Sequence, residues 1–319
     1  MNNVLAIDIG GTNSRVGLFD EQGRRLMITE SETRRDGGRE WMQEHLVKQC
    51  GDLLAKSDYP VKACGISFGG PVDFQRQTVT SVHVPGWKDF ALAEWGQNAF
   101  HLPCQVENYA NAGALGEGQF GAGRGTNSLF YFTLSTGIGG GYVADGRIVR
   151  GRDGVAGEVG HIPVSDSGAP CSCGARGCLE VFCSGTAIAE RGREWGRRRP
   201  EGVARMIELS AGQVEEITAK TVALAAAEGD PTAVTIMKEV GRWLARGVLT
   251  IVRIVNPDRV VLGGGVSQAG VVLLNPVREA LQEFESPTIK YSTEIVLAEL
   301  GTLSPLYGAA AVALKLSGN

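Results

Sequence analysis

At 319 residues, with 43% hydrophobic and 21% charged side chains, the chain is long enough for one large globular domain or two ordinary ones. Its formal charge of −4 supplies no basic field for nucleic acid, and no apolar run reaches the ~18 residues needed to span a bilayer. Small-molecule chemistry in the cytoplasm, with no nucleic-acid or membrane partner, is the resulting expectation.

The 45 glycines fall in short motifs beside strand-like runs. Val4 to Ile9 is an apolar run ending in Asp8-Ile9-Gly10-Gly11-Thr12, after which Ser14 to Phe19 resumes strand character. Leu129 to Leu134 repeats the pattern, running into Ser135-Thr136-Gly137-Ile138-Gly139-Gly140-Gly141, then Tyr142 to Ala144 and a second turn at Asp145-Gly146. A strand, a glycine turn and a returning strand, present twice, suggest a duplicated architecture of two α/β lobes with a cleft as the natural site. A third cluster, Gly263-Gly264-Gly265, follows the strand-like Arg259 to Leu262 and precedes Val266 to Ala280, which can form a helix. Amides at such a helix start suit a nucleotide's phosphates or adenosine.

Helical periodicity marks Glu40 to Leu54, Val214 to Glu228, Thr232 to Ile254 and Ser304 to Leu316, with Asn256-Pro257-Asp258 ending the longest. Arg191, Arg193, Arg197, Arg198 and Arg199 alternate with Glu190, Glu194 and Glu201, the pattern of a solvated helix face. No linker rich in proline or serine divides the chain. The boundary is expected near Gly118: an N-terminal lobe of residues 1–118 with the helix of 302–319 packing back on it, and a C-terminal lobe of 119–301.

Between Gly157 and Glu180, His161 precedes Cys171, Cys173 and Cys178, one imidazole and three thiolates, the ligand set of a closed tetrahedral structural zinc site. Only seven cysteines occur in the chain, and three within eight residues, spaced by Ser172, Gly174 and Gly177, are hard to explain as core packing. A disulfide is the weaker alternative, because Cys171 and Cys173 are too close for easy bridging and no secretory signal precedes the Asp8 strand.

None of the glycine loops matches G-x-x-x-x-G-K-[ST], which argues against a P-loop. Gly137-x-Gly139 opens a returning strand rather than the helix that a dinucleotide fingerprint requires. Asp8 with Gly10, Gly11 and Thr12, and Thr136 with Gly137, fit instead a pair of hairpins that grip a nucleotide's phosphates, with Asp8 holding Mg²⁺ directly or through water. Taken singly, each hairpin reads as an ordinary tight turn.

Successive motifs over nearly the whole chain are Asp8 to Thr12, Ser67-Phe68-Gly69-Gly70-Pro71-Val72-Asp73, Glu107-Asn108, Leu134 to Gly141, Gly157-Glu158-Val159-Gly160-His161, Cys171 to Glu180 and Val260 to Gly265. Their content and order resemble the ROK family of repressors, open reading frames and kinases. The resemblance implies an α/β, two-lobed actin-like ATPase fold, of the hexokinase type and duplicated in the ribonuclease H-like manner. It also implies transfer of the ATP γ-phosphate to a hexose or N-acetylhexosamine hydroxyl, with ATP, Mg²⁺ and one structural Zn²⁺. On the family pattern Asn108, Glu158, His161 and Glu180 contact the sugar, Gly70 and Pro71 shape the near wall, and Gly263, Gly264 and Gly265 join the nucleotide site. Family members are commonly homodimers or homotetramers. The repressors carry a helix-turn-helix segment before the first lobe, for which the position of the Asp8 strand leaves no room.

The pattern breaks at one position. Family kinases read Glu-Asn-Asp-Ala-Asn where this chain reads Glu107-Asn108-Tyr109-Ala110-Asn111. Tyr109 replaces the aspartate assigned as general base, and a phenol with an ordinary pKa of about 10 is mostly protonated at neutral pH. Glu107 is one residue out of register for that task. Nucleotide binding is expected to survive and turnover to suffer; the alternative is a non-catalytic sugar- and nucleotide-binding protein or sugar sensor on the same scaffold.

Overall fold

In the computed structural model, which describes residues 3–81, 84–284 and 286–318, the chain divides into two units: residues 1–125, 141–156 and 303–319, and residues 126–140 and 157–302. In chain order the first stretch forms β1 (Asn3–Ile9), β2 (Asn13–Phe19), β3 (Arg25–Glu32), α1 (Gly38–Leu54), β4 (Val61–Phe68), the short hairpin β5 (Val72–Asp73) and β6 (Thr78–Val79), α2 (Leu92–Phe100), β7 (Cys104–Asn108) and α3 (Tyr109–Phe120). There follow β8 (Ser128–Leu134), β9 (Ile138–Ala144), β10 (Arg147–Ile148), α4 (Glu180–Cys183), α5 (Gly185–Arg198), α6 (Ala204–Glu208), α7 (Ala219–Ala227) and α8 (Pro231–Val255). The chain closes with β11 (Arg259–Gly263), α9 (Val271–Glu283), β12 (Glu294–Leu297) and α10 (Ser304–Ser317).

The first sheet runs β3-β2-β1-β4-β7, antiparallel from β3 to β1 and parallel from β1 through β4 to β7. β1 is buried along its whole length, as a central strand flanked on both edges must be, which explains its unbroken apolar run. Alternate residues serve opposite faces: Val4 and Ala6 join Leu306, Ala309 and Ala310 of α10, whereas Leu5, Ile7 and Ile9 join Met42 and Leu46 of α1. The second sheet runs β10-β9-β8-β11-β12, the same order of hairpin strands followed by parallel partners.

Four sequence expectations need correction. Gly139 to Gly141 lie inside β9, which begins at Ile138, so the glycine turn is shorter than its composition suggested. The helix expected over Val214 to Glu228 splits into a 3₁₀ turn and α7, because Thr218 and Thr221 form a reciprocal capping box that starts a new helix. The helix expected from Val266 likewise splits: a 3₁₀ turn spans Val266–Ala269, and Gly270, at φ +62°, resets the chain before α9. Residues 119–125 and 141–156 cluster with the first unit, against a boundary at Gly118; the β10 hairpin packs on α3, and Lys315 Nζ donates to Gly146 O at 2.8 Å.

Candidate active site

Cross-strand register builds the Asp8 cluster. Asp8 on β1 stands opposite Arg15 on β2, Arg15 stands opposite Glu30 on β3, and Ser67 of β4 flanks Asp8 on the other side. Asp8 is fully buried. Ser67 Oγ donates to its Oδ1 at 3.0 Å, and Arg15 Nη1 lies 3.4 Å from its Oδ2. Arg15 Nη2 donates to Glu30 Oε1 at 2.8 Å. Burial pushes the Asp8 carboxyl up to about 6, the dominant effect, while Arg15 and Ser67 pull it down. Beyond Asp8, Gly10 N donates to Asn13 O at 3.0 Å and closes the turn, leaving Gly11 and Thr12 exposed.

Tyr109 is the first residue of α3, half-buried and within electrostatic reach of the Arg15 guanidinium. Asn108 caps that helix: its Oδ1 accepts from Ala110 N at 2.9 Å and Asn111 N at 3.3 Å, worth ~1 kcal/mol to the helix. Its Nδ2 donates to Gly70 O at 3.1 Å, so Asn108 and Gly70 are brought together, with exposed Pro71 next in the chain. Glu107 is buried and fully engaged. Its Oε1 accepts from Asn108 N at 2.9 Å and Asn111 Nδ2 at 3.2 Å, and its Oε2 accepts from Arg150 Nε at 3.1 Å and from Arg150 Nη2.

In the second unit, Glu180 opens α4 and its Oε2 accepts from Ile138 N at 2.9 Å. A Cβ on Gly137 meets that same oxygen, so any side chain there requires the Glu180 carboxylate to move. Thr136 is exposed, and its carbonyl accepts from Thr186 Oγ1 at 2.9 Å. Gly263 ends β11, Gly264 takes φ +83°, and Gly265 precedes the 3₁₀ turn.

The zinc-type residues converge. One ligand atom each of His161, Cys171, Cys173 and Cys178 lies within 4.8 Å of all the others. Two Zn–S bonds of 2.3 Å at the tetrahedral angle place sulfurs about 3.8 Å apart, and a sulfur and an imidazole nitrogen about 3.6 Å apart. Cys173 Sγ and Cys178 Sγ are 3.7 Å apart, and Cys171 Sγ and His161 Nδ1 3.5 Å. These separations suit a shared metal and are too long for a disulfide. Burial pushes the Cys178 thiol up to about 12, whereas a backbone hydrogen bond at Ala175 holds Cys173 below the usual thiol range. His161 Nε2, on the other edge of the ring, lies 3.9 Å from Glu158 Oε2, whose side chain is exposed.

The residues expected at the sugar therefore divide: Gly70, Pro71 and Asn108 belong to the first unit, and Glu158, His161 and Glu180 to the second. The nucleotide residues divide likewise, with Asp8 and Gly10 to Thr12 in the first, and Thr136, Gly137 and Gly263 to Gly265 in the second. Sequence reasoning missed Arg15 and Arg150. Arg15 carried a signal, since a hairpin closing at Gly10 and Asn13 puts it opposite Asp8 and just before the apolar Val16 to Phe19; Arg150 carried none. The arginine-rich helix is a solvated face as expected, with Arg197 held by Glu190 and Glu215.

Among the described residues no helix is long and apolar enough to cross a membrane. The chain is 34% identical to a glucokinase of Thermotoga maritima over 97% of its own length and 96% of that protein. It is 32% identical to a glucokinase of Streptomyces coelicolor over 98% of each. A xylose repressor of Caldicellulosiruptor bescii is 30% identical over 99% of this chain but 79% of the repressor. Among solved structures, a ROK family glucokinase from Streptomyces griseus in complex with glucose and AMPPNP superposes with a TM-score of 0.88 at 34% identity, covering 98% of this chain and 99% of that one. The chain therefore shares the actin-like, hexokinase-type fold of these proteins and is similar to sugar kinases throughout. With the ROK family pattern matching residues 4–316, it belongs to the ROK family.

Proposed function

We propose that the protein transfers the ATP γ-phosphate to a hexose hydroxyl, with glucose the first acceptor to test and N-acetylhexosamines next. The observation that carries this reading is the end-to-end similarity to glucokinases, one of them solved with glucose and AMPPNP. Asn108, Glu158, His161 and Glu180 offer amide, carboxylate and imidazole groups able to bond a ring of hydroxyls. The turns at Gly10 to Thr12, Thr136–Gly137 and Gly263 to Gly265 offer backbone amides to the phosphates.

His161, Cys171, Cys173 and Cys178 fit Zn²⁺ by donor set and spacing. These four residues would hold the ion, with His161 Nδ1 on the cysteine side, and its part would be to orient the His161 ring so that Nε2 could meet a substrate hydroxyl, a supporting role away from the chemistry. Mg²⁺ fits Asp8 poorly, because both carboxylate oxygens already face protein donors and one donor is a cation. In this reading Mg²⁺ accompanies ATP on its phosphates.

Tyr109 limits the reaction. A protonated phenol does not accept the sugar hydroxyl's proton, and Glu107, held by Arg150 and Asn111, is not available instead. Alignment and charge stabilisation, on which loose phosphoryl transfer mostly relies, remain. Turnover is slow but present. Tyr109 also favours one second reading, a protein that binds sugar and nucleotide without transferring phosphate. A coupled assay with ATP against a panel of sugars, run on this chain and on Tyr109→Asp, separates the two: phosphorylated sugar from this chain supports the kinase, and product from Tyr109→Asp alone, or from neither, supports the binding protein.

A further inference from the structure

Register places two carboxylates and one guanidinium in a row across three adjacent strands, Asp8 on β1, Arg15 on β2 and Glu30 on β3. The two terminal nitrogens of Arg15 divide between them, Nη1 lying 3.4 Å from Asp8 Oδ2 and Nη2 2.8 Å from Glu30 Oε1. Ser67 Oγ takes the remaining Asp8 oxygen at 3.0 Å. Arg15 is itself buried, 8% exposed, and Asp8 is 0% exposed, so water does not screen the pair. A divalent ion such as Mg²⁺ needs a near-octahedral oxygen shell at ~2.0–2.1 Å and keeps several waters. Both Asp8 oxygens already face a protein donor in a fully buried position, and the guanidinium among those donors repels a second cation.

We propose that Arg15 stands in place of a divalent cation at the Asp8 turn, bridging Asp8 and Glu30 as a metal ion does between two carboxylates. A fixed guanidinium does this without release or exchange. Mg²⁺ then reaches the turn only on the nucleotide's phosphates. That last consequence rests on the nucleotide-binding reading; the bridge itself does not. The bridge also explains how a buried carboxylate is tolerated at a turn otherwise made of glycine amides, since an unpaired charge there is costly.

The test is a Mn²⁺ titration of the zinc-loaded full chain without nucleotide, with free Mn²⁺ read by electron paramagnetic resonance. The native chain and Asp8→Asn are expected to give the same isotherm. Arg15→Ala, which leaves Asp8 and Glu30 facing one vacated space, is expected to gain one Mn²⁺ per chain with affinity at least tenfold tighter, and Asp8→Asn added to it removes the gain. A stoichiometric Mn²⁺ in the native chain that Asp8→Asn abolishes overturns the proposal, whether or not the Arg15 variant folds. So does an Arg15→Ala protein with native circular dichroism and no gained site. A separate calorimetric titration with AMPPNP reports on the nucleotide reading: its failure beside the expected Mn²⁺ results removes the kinase function and leaves the role of Arg15 standing.

Discussion

Arg150 grips Glu107 with Nε and Nη2 on a single carboxylate oxygen while Asn111 and the Asn108 amide hold the other. Glu107 is 1% exposed and Arg150 lies over the Phe74 ring, so the pair is fixed on both sides. Its placement makes Glu107 a structural group. Glu107→Ala leaves the half-buried Arg150 uncompensated and is expected to cost about 3 kcal/mol in urea unfolding. If Glu107 were the base, the same substitution in the native Tyr109 chain would lower kcat ~10²-fold or more; we expect a change below threefold at a temperature where the protein stays folded.

Tyr109→Asp is expected to raise kcat for sugar phosphorylation by ~10² to 10⁴, the range of positioned acid–base groups. Nothing else needs to change, because Asn108 already caps α3 and position 109 is the first helical residue, where aspartate is favourable to the helix dipole. A gain confined to KM means that the phenol merely obstructs the sugar.

Elemental analysis should find one zinc per native chain and none in Cys178→Ser. Binding energy of a structural zinc, ~10–16 kcal/mol in small domains, is largely folding energy, so the variant should unfold at much lower urea. A metal-free protein with native stability and sugar affinity removes the zinc assignment.

Gly137→Ala is expected to weaken nucleotide binding, because admitting the methyl moves Glu180 Oε2 off Ile138 N and loosens the turn. Adding Glu180→Ala should restore part of that loss by removing the obstacle. Calorimetry with AMPPNP reads both; equal affinity for native and Gly137→Ala proteins places the phosphates elsewhere.

Asp20 closes the β2–β3 turn, 4% exposed at its side chain. Burial alone raises its pKa, but amide hydrogen bonds from Arg24 and Gln22 at 2.8 and 3.0 Å, and Arg24 Nε at 2.6 Å, bring it below the ordinary carboxylate value. A folded pKa below the unfolded ~3.9 gives stability that is present above that value and lost as pH falls through the folded pKa. Asp20→Asn should therefore cost ~1–3 kcal/mol at pH 7, and the difference from the native protein should shrink below pH 4.

Local pattern alone identified β1, β2, β8, β11, α1, α8 and α10, because fully buried strands and amphipathic helices repeat their apolar residues at fixed periods. It also picked out His161, Cys171, Cys173 and Cys178, which the fold brings together and which lie within one short segment of the chain. The partly exposed edge strand β3 escaped because its burial alternates, leaving no apolar run. What only tertiary structure decided is which polar groups meet: Arg150 reaching Glu107 across 43 residues, Glu180 reaching the Ile138 amide across 42, and Ser304 of α10 donating at 2.6 Å to buried Glu117 of α3 across 187. Such pairs have no period to read, since each depends on strand register and helix docking that bring distant segments together, and burial then makes the choice of partner costly to leave unsatisfied.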